Sequence, residues 1–89
     1  MPQVVVPPPY RGPTRGRAEL DAAGTSVREC LEDVGRRYPG FAEQIFDGQR
    51  KIHKFVSVFL NGDEIERGDS DHAVAEGDRI EILAAVAGG

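Results

Sequence analysis

At 89 residues the chain makes one small domain, which buries a little over ~60% of its unfolded surface: room for one core, not for a deep catalytic cleft, so a self-sufficient enzyme is not expected. A formal net charge of −4 argues against non-specific binding to nucleic acid or to an anionic membrane surface. The single cysteine excludes an internal disulfide framework and suits a reducing cytoplasm, and no apolar run approaches the ~20 residues of a membrane span.

Met1-Pro2-Gln3-Val4-Val5-Val6 lacks the basic segment and the long apolar stretch of a signal peptide. Its β-branched part predicts a strand, ended by Pro7-Pro8-Pro9 because proline has no N–H to give a ladder. Residues 10–15, with Gly12 and Pro13, read as a turn. Residues 16–22 then alternate, with Ala18, Leu20 and Ala22 on one side and Arg17, Glu19 and Asp21 on the other, as in a half-buried strand ended by Gly24. Ser26-Val27-Arg28-Glu29 fits a capping box, in which the hydroxyl caps the helix and the Glu reaches back. Val27, Cys30, Leu31, Val34 and Tyr38 follow at the spacing of one apolar helix face. Arg36 and Arg37 suit the negative end of the helix dipole, and Pro39-Gly40 stops the helix. Gly35 inside it costs about 1 kcal/mol against alanine.

Residues 41–46 predict a short second helical turn, and 47–54 a polar, mostly basic loop. Residues 55–60 make the strongest strand, Asn61-Gly62 a tight hairpin pair and Glu64-Ile65-Glu66 a short return. Residues 67–76 read as loop, Gly77-Asp78 as a turn and 79–83 as the last strand. This order predicts an α+β domain over residues 1–83, a mixed sheet with one main helix across one face, and a C-terminal tail over 84–89. The two periodicities assign Val4, Val6, Leu20, Val27, Leu31, Val34, Val56, Val58, Leu60, Ile80 and Ile82 to the core.

Few side chains offer chemistry of their own. Cys30 falls on the apolar helix face, where a thiol behaves as a small hydrophobe. His53 and His72 lack metal-ligand spacing, and no glycine-ordered loop gathers Asp63, Glu64, Glu66, Asp69 and Asp71, so no metal or bound cofactor is expected. Arg11, Arg15 and Arg17, and Arg50, Lys51 and Lys54, read as solvated faces. The informative feature is the end, Ala87-Gly88-Gly89. At average glycine usage, two glycines there by chance have odds of roughly 0.5%. A side-chain-free pair can thread a narrow channel, and the ionised Gly89 carboxylate can attack phosphorus.

The Asn61-Gly62 and Gly77-Asp78 turns, the stretch Glu76-Gly77-Asp78-Arg79-Ile80-Glu81-Ile82-Leu83, the stretch His53-Lys54-Phe55-Val56-Ser57-Val58-Phe59-Leu60-Asn61 and the terminal Val86-Ala87-Gly88-Gly89 carry a family likeness. Over nearly its whole length the chain resembles the ubiquitin-like β-grasp sulfur carriers, the ThiS and MoaD relatives. Element order and length, including residues 39–54, look most like the CysO carriers of cysteine biosynthesis. Many members have prolines before the tail, where this chain has Ala84-Ala85. The resemblance implies that an adenylating, sulfur-transferring activating enzyme uses ATP to adenylate Gly89. Sulfur then displaces AMP, and the thiocarboxylate serves an acceptor such as a pyridoxal-phosphate-dependent cysteine synthase. Carriers for molybdopterin or thiamine synthesis, a lysine-conjugated protein modifier and an unconjugated interaction module stay open.

Alternation puts Val56, Val58 and Leu60 on one face of their strand and Phe55, Ser57 and Phe59 on the other. With the valines against the helix, Phe59 and Leu83 lie on the open face as partner-binding residues, joined by Phe55 unless residues 39–54 cover it. Val86, Ala87 and Gly88 are then the tail's access residues, projecting past the last strand with Val86 as apolar anchor.

Overall fold

Period-two runs and one helical apolar face assemble into two layers. The structure, a computed structural model, describes residues 1–84 apart from the side chains of Pro9, Arg67 and Ala84. Five strands, β1 (Gln3–Val5), β2 (Glu19–Asp21), β3 (Val56–Leu60), β4 (Asp63–Ile65) and β5 (Arg79–Ala84), lie in the order β2-β1-β5-β3-β4. β1 and β5 run parallel, and the other neighbours are antiparallel. Two helices, α1 (Val27–Arg37) and α2 (Pro39–Ile45), are packed against each other, with α1 also touching β1. The α+β expectation holds, and β5 runs one residue past the expected boundary: Ala84 still pairs with Val56.

Every residue assigned to the core from sequence is buried except Leu60, which is half-buried against the core's edge as the last residue of β3 before the hairpin turn. Val56 and Val58 are each only 4% exposed, so the register is as expected. The sequence reading missed Phe41 and Ile45, fully buried on α2, and Ile52, 3% exposed. Pro39-Gly40 does not only stop α1: Tyr38 closes α1, and Pro39 opens α2 at a first-turn position that needs no N–H. Ile52 is isolated in a polar stretch without periodicity, and the Phe46–Ile52 bridge turns it inward.

The second strand is shorter than its alternation suggested, because residues before it are committed to a turn. Arg15 and Gly16 have φ of 58° and 82°, and the buried Thr14 hydroxyl bonds the Arg11 and Arg17 carbonyls at 3.3 and 3.0 Å. The strand expected over 55–60 begins one residue later, at Val56, and the one expected over 64–66 is displaced by one residue, to 63–65.

The cap of α1 is half as expected. Ser26 Oγ accepts from the Glu29 N–H at 3.1 Å, but the Glu29 carboxylate passes over Ser26 and accepts from the N–H and hydroxyl of Thr25 at 2.8 and 3.0 Å. The free N–H groups of the first turn find partners in residues 67–76: Val27 donates to the His72 carbonyl at 3.0 Å and Arg28 to that of Ser70 at 2.8 Å. A stretch that reads as mere loop is thereby bound to the helix end.

Gly35 has a tertiary reason. A Cβ there would lie 2.8 Å from Cβ of Ala42, so glycine allows α1 and α2 to approach. Gly35→Ala, which helix propensity alone would make stabilising, is expected to destabilise by about 1–3 kcal/mol through overpacking. Ala42→Gly should remove most of that penalty in the double variant, read by thermal melts. A higher Tm for Gly35→Ala would contradict the close approach.

Candidate functional site

The start of β5 is fixed by two turns that look independent in the sequence. Asn61 and Gly62 both have positive φ, 50° and 90°, as the tight hairpin turn requires. The Asn61 N–H donates to the Arg79 carbonyl at 2.8 Å, and the Arg79 N–H donates back to Asn61 Oδ1 at 2.9 Å. The Asn61 amide donates to Asp78 Oδ1 at 3.1 Å, while Asp78 Oδ2 accepts from the Ala75 N–H at 2.8 Å. The Ala75 N–H first, then the Asn61 amide, hold the Asp78 carboxyl below its ordinary range. The hairpin is thus bolted to the entry of β5.

From that bolt β5 runs antiparallel to β3, pairing Ile80 with Leu60 and ending with Leu83 beside Ser57 and Ala84 beside Val56. The described part of β5 therefore ends where β3 begins. Leu83 is 45% and Phe55 44% exposed at this end, among the few large apolar residues the described part of the domain shows to solvent. The His53 ring stacks on Phe55 at 5.1 Å, and Lys54 Nζ stands 5.1 Å from its centroid. Residues 39–54 cover Phe55 only in part, through His53 and Lys54: the His53 N–H is held by the Ile45 carbonyl at 2.7 Å and Ile52 is drawn into the core, so the side chain stays exposed. Phe59 is only half-buried rather than exposed, flanked on both neighbouring strands by Glu81 and Glu64. Val86, Ala87, Gly88 and Gly89 lie outside the described residues.

The other candidates have structural roles. Cys30 is fully buried, and burial first, then the Asp33 and Glu29 carboxylates, push its thiol pKa up, away from a reactive thiolate. His53 and His72 do not converge, and the described residues hold no group of three His, Cys, Asp or Glu placed to bind a metal. Arg11 is not simply solvated: its Nε donates to the Val6 carbonyl at 2.8 Å. No helix of the described residues is long and apolar enough to cross a membrane.

The ThiS family profile matches residues 9–89. The chain belongs to the ThiS family. It is 33% identical to the sulfur carrier protein CysO of Mycobacterium tuberculosis (strain ATCC 25618 / H37Rv) over 89 residues, covering 97% of this chain and 96% of that protein. Among solved structures it is similar to a chain of the Amycolatopsis orientalis BexX/CysO complex, with 32% identity, a TM-score of 0.88 and full coverage of both chains. Mycobacterium tuberculosis CysO, described as an antigen, gives 29% identity, a TM-score of 0.86 and coverage of 97% of this chain and 100% of that one. The fold is the ubiquitin-like β-grasp of these CysO structures. ThiS-type relatives of this kind are small carriers rather than enzymes, and they support a sulfur-carrier role.

In this ThiS-family frame the bolt at Asn61 is a testable part. Asn61→Asp keeps shape but sets a carboxylate against Asp78 and removes the amide donor. Asp78 is a group whose folded pKa is depressed, so the stability it contributes is present above the unfolded value near ~3.9 and is lost as pH falls through the lower folded value. Asn61→Asp is expected to melt below the parent at pH 7 and to converge on it as the pH approaches 4, because protonation of either carboxyl relieves the pair. A pH-independent difference in Tm would contradict this.

Proposed function

We propose that the chain is a sulfur carrier of cysteine biosynthesis, working in the cytoplasm and charged at Gly89. Near-full-length identity to CysO carries the reading. The outlet of β5 beside exposed Leu83 and Phe55 supports it, since an activating enzyme can grip the domain there while taking up the tail.

The chemistry follows from what a carboxylate lacks. It is a poor electrophile, so a Gly89 oxygen first attacks the α-phosphorus of ATP on the activating enzyme and pyrophosphate leaves. Hydrosulfide then attacks the acyl carbon and AMP departs. One oxygen has been exchanged for sulfur, and the thiocarboxylate delivers that sulfur to an electrophilic carbon on the acceptor, a pyridoxal-phosphate-dependent cysteine synthase. The carrier contributes the carboxylate, the slender Gly88 and Ala87, the Val86 anchor, and a docking face of Leu83, Phe55 and Phe59. The partners contribute the remaining catalytic groups.

Incubation with the activating enzyme of the same genome, ATP and sulfide is expected to exchange one oxygen for sulfur in the intact mass. Ladders of lysine conjugates would instead indicate a modifier, and an unchanged mass beside an active enzyme would indicate an interaction module. Gly88→Val is expected to melt with the parent yet fail to be adenylated, because a β-branched side chain adds bulk and restricts the backbone in the channel. Charging of Gly88→Val at the parent rate would overturn the role given to the glycines.

A further inference from the structure

The strand register lines up one transverse row on the open face. Glu19 of β2 lies opposite Val5 of β1, Val5 opposite Glu81 of β5, Glu81 opposite Phe59 of β3, and Phe59 opposite Glu64 of β4. Carboxylates and apolar side chains thus alternate across the whole sheet. Glu19 is neutralised by Arg79 at 2.9 Å. Glu81 and Glu64 have no ion pair among the described residues. With strands ~4.8 Å apart, these two straddle Phe59 at a backbone separation of about 10 Å.

A partner that covers Phe59 must also cover both neighbours. Carboxylates taken from water without a counter-charge cost far more than the ring contributes. A second copy of the chain would bring acid against acid. We infer that this face is specific for an activating enzyme whose docking surface carries an apolar socket for Phe59 flanked by two Arg or Lys side chains that meet Glu81 and Glu64. The inference rests on the carrier reading and adds to it the chemistry that selects the partner. Charges placed so steer encounter and reject wrong partners more than they add raw affinity.

The test measures ATP–pyrophosphate exchange by the activating enzyme of the same genome as a function of carrier concentration and salt. The double variant Glu64→Lys/Glu81→Lys is expected to raise the KM for carrier by about tenfold or more with kcat unchanged. Glu64→Gln/Glu81→Gln, the gentler change for folding, should raise it less. The parent's KM should climb with added salt, while that of the Lys variant should not. Glu43→Lys, exposed on α2 in the other layer, should leave KM unchanged. An unaltered KM in both double variants, an equal effect of Glu43→Lys or a salt-independent parent KM would each overturn the inference. If the parent itself supports no exchange, the carrier reading fails and takes this inference with it; if the parent reacts and the variants behave like it, only this inference falls.

Discussion

Everything in this domain hangs on the pairing of β5 with β1 on one side and β3 on the other. Without it the β1–β2 hairpin and the β3–β4 hairpin share no ladder. The parallel β1–β5 contact joins opposite ends of the chain, Val4 beside Ile80, so its loop-closure entropy is high and must be offset by burial. Ile80 and Ile82 supply that burial, both fully enclosed in the core they share with Val27, Leu31 and Val34 of α1, each worth about 1.5–3 kcal/mol relative to exposure.

The same strand leads into the C-terminal residues. That couples stability to presentation: the register that hides Ile80 and Ile82 necessarily turns Glu81 and Leu83 to the open face. The Asn61–Asp78–Arg79 bonds secure that register at the strand's start, far from the tail root.

The helical layer is less regular than the sheet and is held by specific fittings. Carbonyls of residues 67–76 accept from the first turn of α1, the Thr25 N–H and hydroxyl donate to Glu29, and Gly35 lets α2 settle against α1. Arg37 reaches across to the Asp21 carbonyl on the outer edge of β2 and is held by Asp33, which also accepts the Ala23 N–H at 3.0 Å. An edge occupied in this way is a poor template for another chain's strand.

Local pattern alone determined much here: α1 with its Ser26 cap, the inward faces of β3 and β5, the Asn61-Gly62 turn and the order of strands and main helix, because these follow from periodicity and turn chemistry over a few neighbouring residues; the β-grasp itself came from the family resemblance. The start of α2 at Pro39 and the burial of its Phe41 and Ile45, the inward turn of Ile52, the buried Thr14 and the role of Gly35 were decided only in the folded chain. The same holds at the site. Alternation placed Phe55, Phe59 and Leu83 on one face, but their exposure was set by what lies beside them. Phe59 is half-hidden by its strand neighbours, and Phe55 stays exposed beside only His53 and Lys54 because Ile52 pulls the adjoining loop into the core. The row of Glu19, Val5, Glu81, Phe59 and Glu64 gathers residues from five separate segments, and no sequence window could show it: only strand register makes them neighbours.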